Sequence, residues 1–274
     1  MSRTILSILP AFALLALALL GPQSASEASA QTANAEEIMK RAHLNLYYMG
    51  NDGKAVVNMT ITDKRGKERT RRFIMLRRDI EEGGEQKYYT YFLEPNDVRR
   101  TSFMVWKYTD KDDSRWIYVP AVDLVRRISA KDKGSSFVGS DFSYEDVSGR
   151  PWTADNHTWL RDEDSAGKSC YVIESVPKEE DTFAKKISWI GKENMVPLRE
   201  EYYDAKGGLL RVFTAEKVEE IDGYPTVTVR RMTNEQKKGH TVVAFTDIDY
   251  DLGIDEKFFT ERYLKNPPSD LLSE

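Results

Sequence analysis

The sequence predicts a mainly β protein with a few helices, an α+β domain whose large antiparallel sheet curls around helical segments. Three observations lead there. After residue 53 the apolar period changes from helical to two, through roughly a dozen short runs divided by Gly and charged turns. The connections are short and carry no helical crossovers, which a parallel sheet would need. Several runs are apolar on both faces, from Phe73 to Leu76, Tyr88 to Leu93 and Phe103 to Tyr108. Such a sheet must hide its inner face, so a flat sandwich with one wet face does not fit.

Taken in order, the chain opens with Arg3, the apolar run "AFALLALALL", Gly21-Pro22 and a small-residue site around Ser29. Residues 1–30 read as a secretory signal peptide cleaved after Ala30. The run is short for a membrane anchor, and no cysteine near the cleavage site supports a lipid-modified N-terminus. Residues 31–274 then form a single domain, expected to be exported. "NAEEIMKRAHLNLYYM" places Ile38, Ala42, Leu46 and Met49 at helical spacing. Asn34 is a plausible N-cap, with Glu36 and Glu37 in the first turn. Gly50 and Gly53 end that helix. "KAVVNMTITD", "ERTRRFIMLRRD" and "QKYYTYFLEP" follow as strands, joined at "KRG" and "EEGGE". "TSFMVWKY", "SRWIYVP" and "VDLVRRIS" continue the meander. Seven more runs, from "HTWLRD" to "GHTVVAFTDIDYD", complete it before a short helical segment in "DEKFFTERYL".

Composition narrows the function. The formal net charge is −5, which does not favour nucleic acid as a partner. Cys170 is the one cysteine of the sequence, so an internal disulfide is excluded; in "SCYVIESV" it reads as a buried, inert thiol.

"GSSFVGSDFSYEDVSGR", residues 134–150, gathers Gly, Ser, aromatic rings and acids, and it looks most like a site. Each chemical reading lacks a residue. A phosphate loop needs Lys and Ser/Thr where Ser140 and Asp141 stand. The calcium-loop fragments at 110–113 and 162–167 lack a turn glycine or the closing acid. His43, His157 and His240 fall in different elements, without zinc-ligand spacing. No G-x-S-x-G elbow is present. Two readings of the acids remain. Asp141 can cap a short helix through "FSYEDV", with Ser143 three residues before Asp146; alternatively Asp141, Glu145 or Asp146 serve as a general acid–base pair. Adjacent helical residues diverge, which favours architecture for Glu145 and Asp146. The arginines of "RTRRFIMLRR", with Arg126 and Arg127, likewise read either as strand faces paired with acids or as a basic patch for an anionic partner.

A family resemblance covers nearly the whole of residues 31–274. "FLEPNDVRRTSFMVW", "WIYVPAVDLVRRI", "GSDFSYEDVSGR", "PLREEYYD" and "GHTVVAFTDIDYDLGIDEKFFTERYL" resemble the outer-membrane lipoprotein-sorting proteins of the LolA/LolB-like superfamily, in the branch associated with RND/MMPL-type transporters. The resemblance implies an incomplete antiparallel β-barrel of about eleven strands wrapped around helices. It also implies a non-catalytic periplasmic carrier that shields acyl chains of a lipid or lipoprotein and uses no cofactor or metal. Its partners would be an inner-membrane RND/MMPL-type transporter and an outer-membrane acceptor. Cavity-lining candidates are Met59, Phe73, Met75, Tyr89, Tyr91, Phe103, Val105, Trp116 and Tyr118, with Phe137, Phe142 and Tyr144 from the opening stretch; each also reads as ordinary core. No arginine aligns as a lid latch. An adaptor subunit with a filled interior is the competing function, and an envelope hydrolase the third. Cavity size separates the first two.

Overall fold

The computed structural model describes residues 23–267, together with 269 and 272, with side chains from residue 34 onward. Of the expected leader, residues 1–22 lie outside the described residues. The first helix, α1 (Gln23–Tyr47), begins before Asn34. Asn34 is therefore an interior residue and not the N-cap, because the Ala- and Ser-rich stretch before it, built on the best helix former, continues the helix upstream.

Thirteen strands follow in one antiparallel sheet, two more than the resemblance implies. Six run β1 (Asp52–Thr62), β2 (Glu68–Asp79), β3 (Gln86–Glu94), β4 (Ser102–Lys107), β5 (Ser114–Val119) and β6 (Leu124–Ile128). After a covering segment, residues 129–154, which contains α2 (Tyr144–Ser148), come β7 (Asp155–Ser165), β8 (Lys168–Pro177), β9 (Lys185–Gly191) and β10 (Pro197–Tyr203). The last three are β11 (Leu209–Ile221), β12 (Tyr224–Asn234) and β13 (Gly239–Tyr250), and α3 (Glu261–Lys265) closes the fold. The spatial order is β6-β5-β4-β3-β2-β1-β13-β12-β11-β10-β9-β8-β7. Every neighbour is a neighbour in sequence except one pair. At the centre β1 meets β13, with Met59 opposite Val243 and Val57 opposite Phe245. Two meanders thus run outward from a central seam, and the edges are β6 and β7.

The sheet curls. Ile128 of β6 and Tyr202 of β10 belong to one core cluster. Nine strand spacings separate those strands, about 43 Å if the sheet were flat. The cluster closes around Phe137, Phe142 and Tyr144 of the covering segment. The barrel stays open, with the segment laid across its inner face. The other half of that face takes α1: Ala35, Ile38, Met39 and Ala42 pack on Ile173 and Ile190, and Leu46 packs on Val196 and Val227.

The opposite face of β1–β5 is covered too. Ile254, Phe259 and Leu264 of the C-terminal segment bury Val56, Ile74, Leu76, Tyr89, Met104 and Trp116. Backbone partners hold this cover down. Asp52 accepts from the amides of Leu252 and Ile254 at 2.7 Å each. Trp106 donates to the Phe259 carbonyl, Tyr89 to that of Tyr263 and Ser102 to that of Leu264. Two covered faces are why these strands read as apolar on both sides.

Candidate functional site

The covering segment is built from its own sequence. Ser143 caps α2: its hydroxyl accepts from the Asp146 amide at 3.1 Å, while the Asp146 carboxylate accepts from the Ser143 amide at 2.7 Å. This reciprocal box satisfies donors that a five-residue helix would otherwise leave orphaned. Asp141 does not cap the helix. Its carboxylate accepts from the Thr241 hydroxyl of β13 at 2.8 Å, and its amide donates to the same oxygen at 3.0 Å. Ser143, two residues on, already holds the cap position with extended backbone.

Ion pairs fasten the segment to the β7–β13 half of the sheet. Asp146 pairs with Arg211 of β11 at 2.5 Å. Glu145 points elsewhere, to Lys133 at 3.0 Å and Arg150 at 3.4 Å. Arg150 also reaches Asp155 at 2.8 Å and Asp181 at 2.6 Å. Burial alone would lower the Arg150 pKa; the hydrogen bond to Asp155 and the charges of Glu145, Asp155 and Asp181 outweigh it and raise it. Glu145 and Asp146 thus diverge, as adjacent helical residues do. The acids act as fasteners.

Beneath the segment lies an apolar cavity of about 120 Å³. Its floor is the central seam: Ala55, Val57 and Met59 of β1, Phe73 and Met75 of β2, and Val243 and Phe245 of β13. Phe137, Phe142 and Val147 roof it, and Leu46, Tyr47 and Met49 at the end of α1 close one side. Tyr88 and Val227 complete the apolar wall. Three flexible methionines, Met49, Met59 and Met75, can re-pack around an occupant. Charged lining is confined to Lys54, Arg77, Arg230 and Asp146. Arg77 donates to the carbonyls of Met49 and Gly50 and to Asp79 at 2.7 Å, placing a cation at the end of α1. The lining is thus mainly apolar with a few polar groups at its margin, the composition of a site for an apolar or amphipathic ligand.

Of the residues singled out from sequence, Met59, Phe73, Met75, Phe137 and Phe142 line this cavity. Phe103, Val105 and Tyr144 share its core cluster and pack around it. Tyr89, Tyr91, Trp116 and Tyr118 do not reach it; they face the other side of the sheet, under the C-terminal segment. The cause is strand alternation. Tyr89 pairs with Met104, and Met104 with Trp116, so all three share the outer face. Sequence reading missed Tyr47, Tyr88, Arg230, Val243 and Phe245. The Arg230-Arg231 pair carried one signal: of two adjacent strand residues, one must point inward.

The arginine-rich strand β2 divides in the same way. Arg71 pairs with Asp97 at 3.4 Å and Arg77 with Asp79, while Arg78 lies 4.0 Å from Asp52. These arginines serve the fold. Cys170 is buried, as expected, and burial raises its thiol pKa.

A family model described only as an uncharacterized protein matches residues 84–266. An outer membrane lipoprotein-sorting protein domain from Vibrio parahaemolyticus is 30% identical, with a TM-score of 0.79, covering 85% of this chain and 99% of that one. The chain belongs to the outer-membrane lipoprotein-sorting protein family. A DUF1329 family protein from Desulfovibrio piger is 29% identical with a TM-score of 0.80, over 85% of this chain and 99% of that one. A LolA superfamily protein from Nitrosomonas europaea, 20% identical with a TM-score of 0.65, covers 84% of this chain and 98% of that one and shares the fold. No curated protein matches the chain. The fold that these structures share with the chain is the curled open sheet with helical cover described above. No helix among the described residues is long and apolar enough to cross a membrane.

Proposed function

We propose that the protein is a non-catalytic periplasmic carrier that shields an acyl chain of a lipid or lipoprotein between membranes. The observation that carries this reading is the methionine- and aromatic-lined cavity under a fastened but separate covering segment. Burying each acyl CH₂ contributes about 0.8 kcal/mol, so a dry cavity can hold a chain without covalent chemistry. The leader expected over residues 1–30 supports export. The resemblance to the RND/MMPL-associated branch supports an inner-membrane transporter of that type as donor or acceptor, with an outer-membrane protein at the other end.

At about 120 Å³ the cavity is smaller than a whole acyl chain. It is close to the apolar cavity of roughly 150 Å³ that takes a single benzene ring. In a carrier, the covering segment must lift or slide as a chain enters, and the cavity seen is the resting state. The same small volume favours a second reading, an adaptor subunit with a filled interior.

Purification without detergent, followed by solvent extraction and mass spectrometry, separates the two. A carrier yields bound lipid or takes up a radiolabelled fatty acid to near-stoichiometric level. Protein that is lipid-free and takes up no label is an adaptor.

A further inference from the structure

Arg230 stands on the inner face of β12, opposite Val243 of β13 and Ala215 of β11. Its neighbours in the inward row are apolar: Val243 is paired in turn with Met59, and the next cation along, Arg71 beyond Met59, has Asp97 as its partner. Its guanidinium carbon lies 4.6 Å from the centre of the Phe245 ring, and Nε makes a long 3.4 Å contact to the Val227 carbonyl. Among the described residues no carboxylate stands within ion-pair distance of Arg230. Buried Lys107 also lacks an acid but donates to the Gly149 carbonyl at 2.5 Å, and three other inward cations have acids. Arg211 has Asp146, Arg77 has Asp79, and Lys186 has Glu200 at 2.7 Å. The one acid of the cavity lining, Asp146, is already held by Arg211.

A half-buried guanidinium with no acid partner is costly unless something else supplies the charge. Its planar fork matches carboxylate and phosphate oxygens in a bidentate way. Ala215 opposite it brings neither a charge nor a large side chain to the fork. Phe245 below it and the cavity beyond offer apolar surface continuous with the charge. Charge at one end and hydrocarbon at the other describe an amphiphile.

We propose that Arg230 is the headgroup anchor of the cavity, and that the preferred ligand is an amphiphile with an anionic oxygen head whose tail lies over Phe245, Val243 and Met59. This deepens the carrier reading and rests on it. Two sources fit the chemistry, a free fatty acid carboxylate and a phosphate monoester head.

The test is isothermal titration of the whole exported protein with three ligands of one chain length: dodecanoate, dodecyl phosphate and uncharged dodecanoyl glycerol. Wild type should bind at least one anion at least tenfold more tightly than the uncharged ligand, the size of a charge-assisted hydrogen bond. The better anion names the source. Arg230→Gln should lose that preference while binding dodecanoyl glycerol as before, which also shows that the variant is folded. Arg230→Lys should retain part of it, keeping the charge but losing the fork. Equal binding of all three by wild type, or equal weakening of all three by Arg230→Gln, overturns the anchor and leaves the carrier reading standing. Binding of none overturns both.

Discussion

Lys107 shows how the covering segment is held one side chain at a time. It is 3% exposed and donates to the Gly149 carbonyl at 2.5 Å. Gly149 has φ of +80°, and a Cβ there would come within 2.7 Å of the Tyr47 ring, so this junction between segment and helix demands glycine. Burial pushes the Lys107 pKa down to about 8, against the pull of Asp113 and Glu145. The unfolded chain keeps that proton up to about pH 10.4. Between those values the unfolded state binds more protons, so stability rises with pH. Tyr47, Tyr88 and Tyr202 act in the opposite sense higher up: burial raises their pKa values, so the folded state holds protons that unfolded tyrosines release above about pH 10. Urea midpoints should therefore climb from pH 8 to about 10 and then fall. Lys107→Met should abolish the climb and keep the fall; an unchanged climb would show that Lys107 is not its source. At this scale the sequence was partly legible. Phe137 and Phe142 were found because aromatic residues in a Gly/Ser loop must face a core. Tyr89 and Trp116 were placed on the wrong face because "KYYTYFL" is apolar at both parities, and parity alone cannot say which face meets the C-terminal segment.

Among the elements, α2 and its flanks decide whether the inner face can open. Asp146 does two jobs: it completes the cap with Ser143 and it pairs with Arg211. Losing an N-terminal capping partner costs about 1 kcal/mol, and stranding a buried charge costs more. Asp146→Ala should destabilise the protein by about 3 kcal/mol in urea unfolding, and adding Arg211→Met should recover part of that by removing the stranded charge. A loss below about 1 kcal/mol would mean that the segment is held by its other fasteners, Asp141 with Thr241 and Arg150 with Asp155 and Asp181. The capped turn was readable from Ser143 and Asp146 at their three-residue spacing. Asp141's partner was not, because Thr241 lies 100 positions away and meets it only once β13 takes its place in the sheet. The extent of α1 was misread for a different reason: an N-cap signal at Asn34 says where a helix can start, while the preceding Ala-rich residues let it start earlier.

Across the whole molecule, the central seam between β1 and β13 matters most. It joins the ends of the strand sequence and sets two meanders back to back, and the cavity floor is built from both. Local period revealed the strands and the curl followed from their two-sided apolar pattern. The seam is non-local, so Val243, Phe245 and Arg230 could not be set beside Met59 from sequence. The open edges are protected by charge: β6 carries Arg126 and Arg127, and β7 carries Arg161, Asp162, Glu163 and Asp164. Such edges resist pairing with another sheet, which suits a protein that must expose apolar surface when its cover moves. Photocross-linking tests the central claim most directly. A radiolabelled fatty acid bearing a mid-chain diazirine is bound, irradiated and mapped by peptide mass spectrometry. Acyl carriage in the cavity predicts adducts on Met59, Phe73, Met75, Tyr88 and Phe142; adducts confined to the Trp106 and Trp116 face or to the edge strands, or none at all, would contradict it.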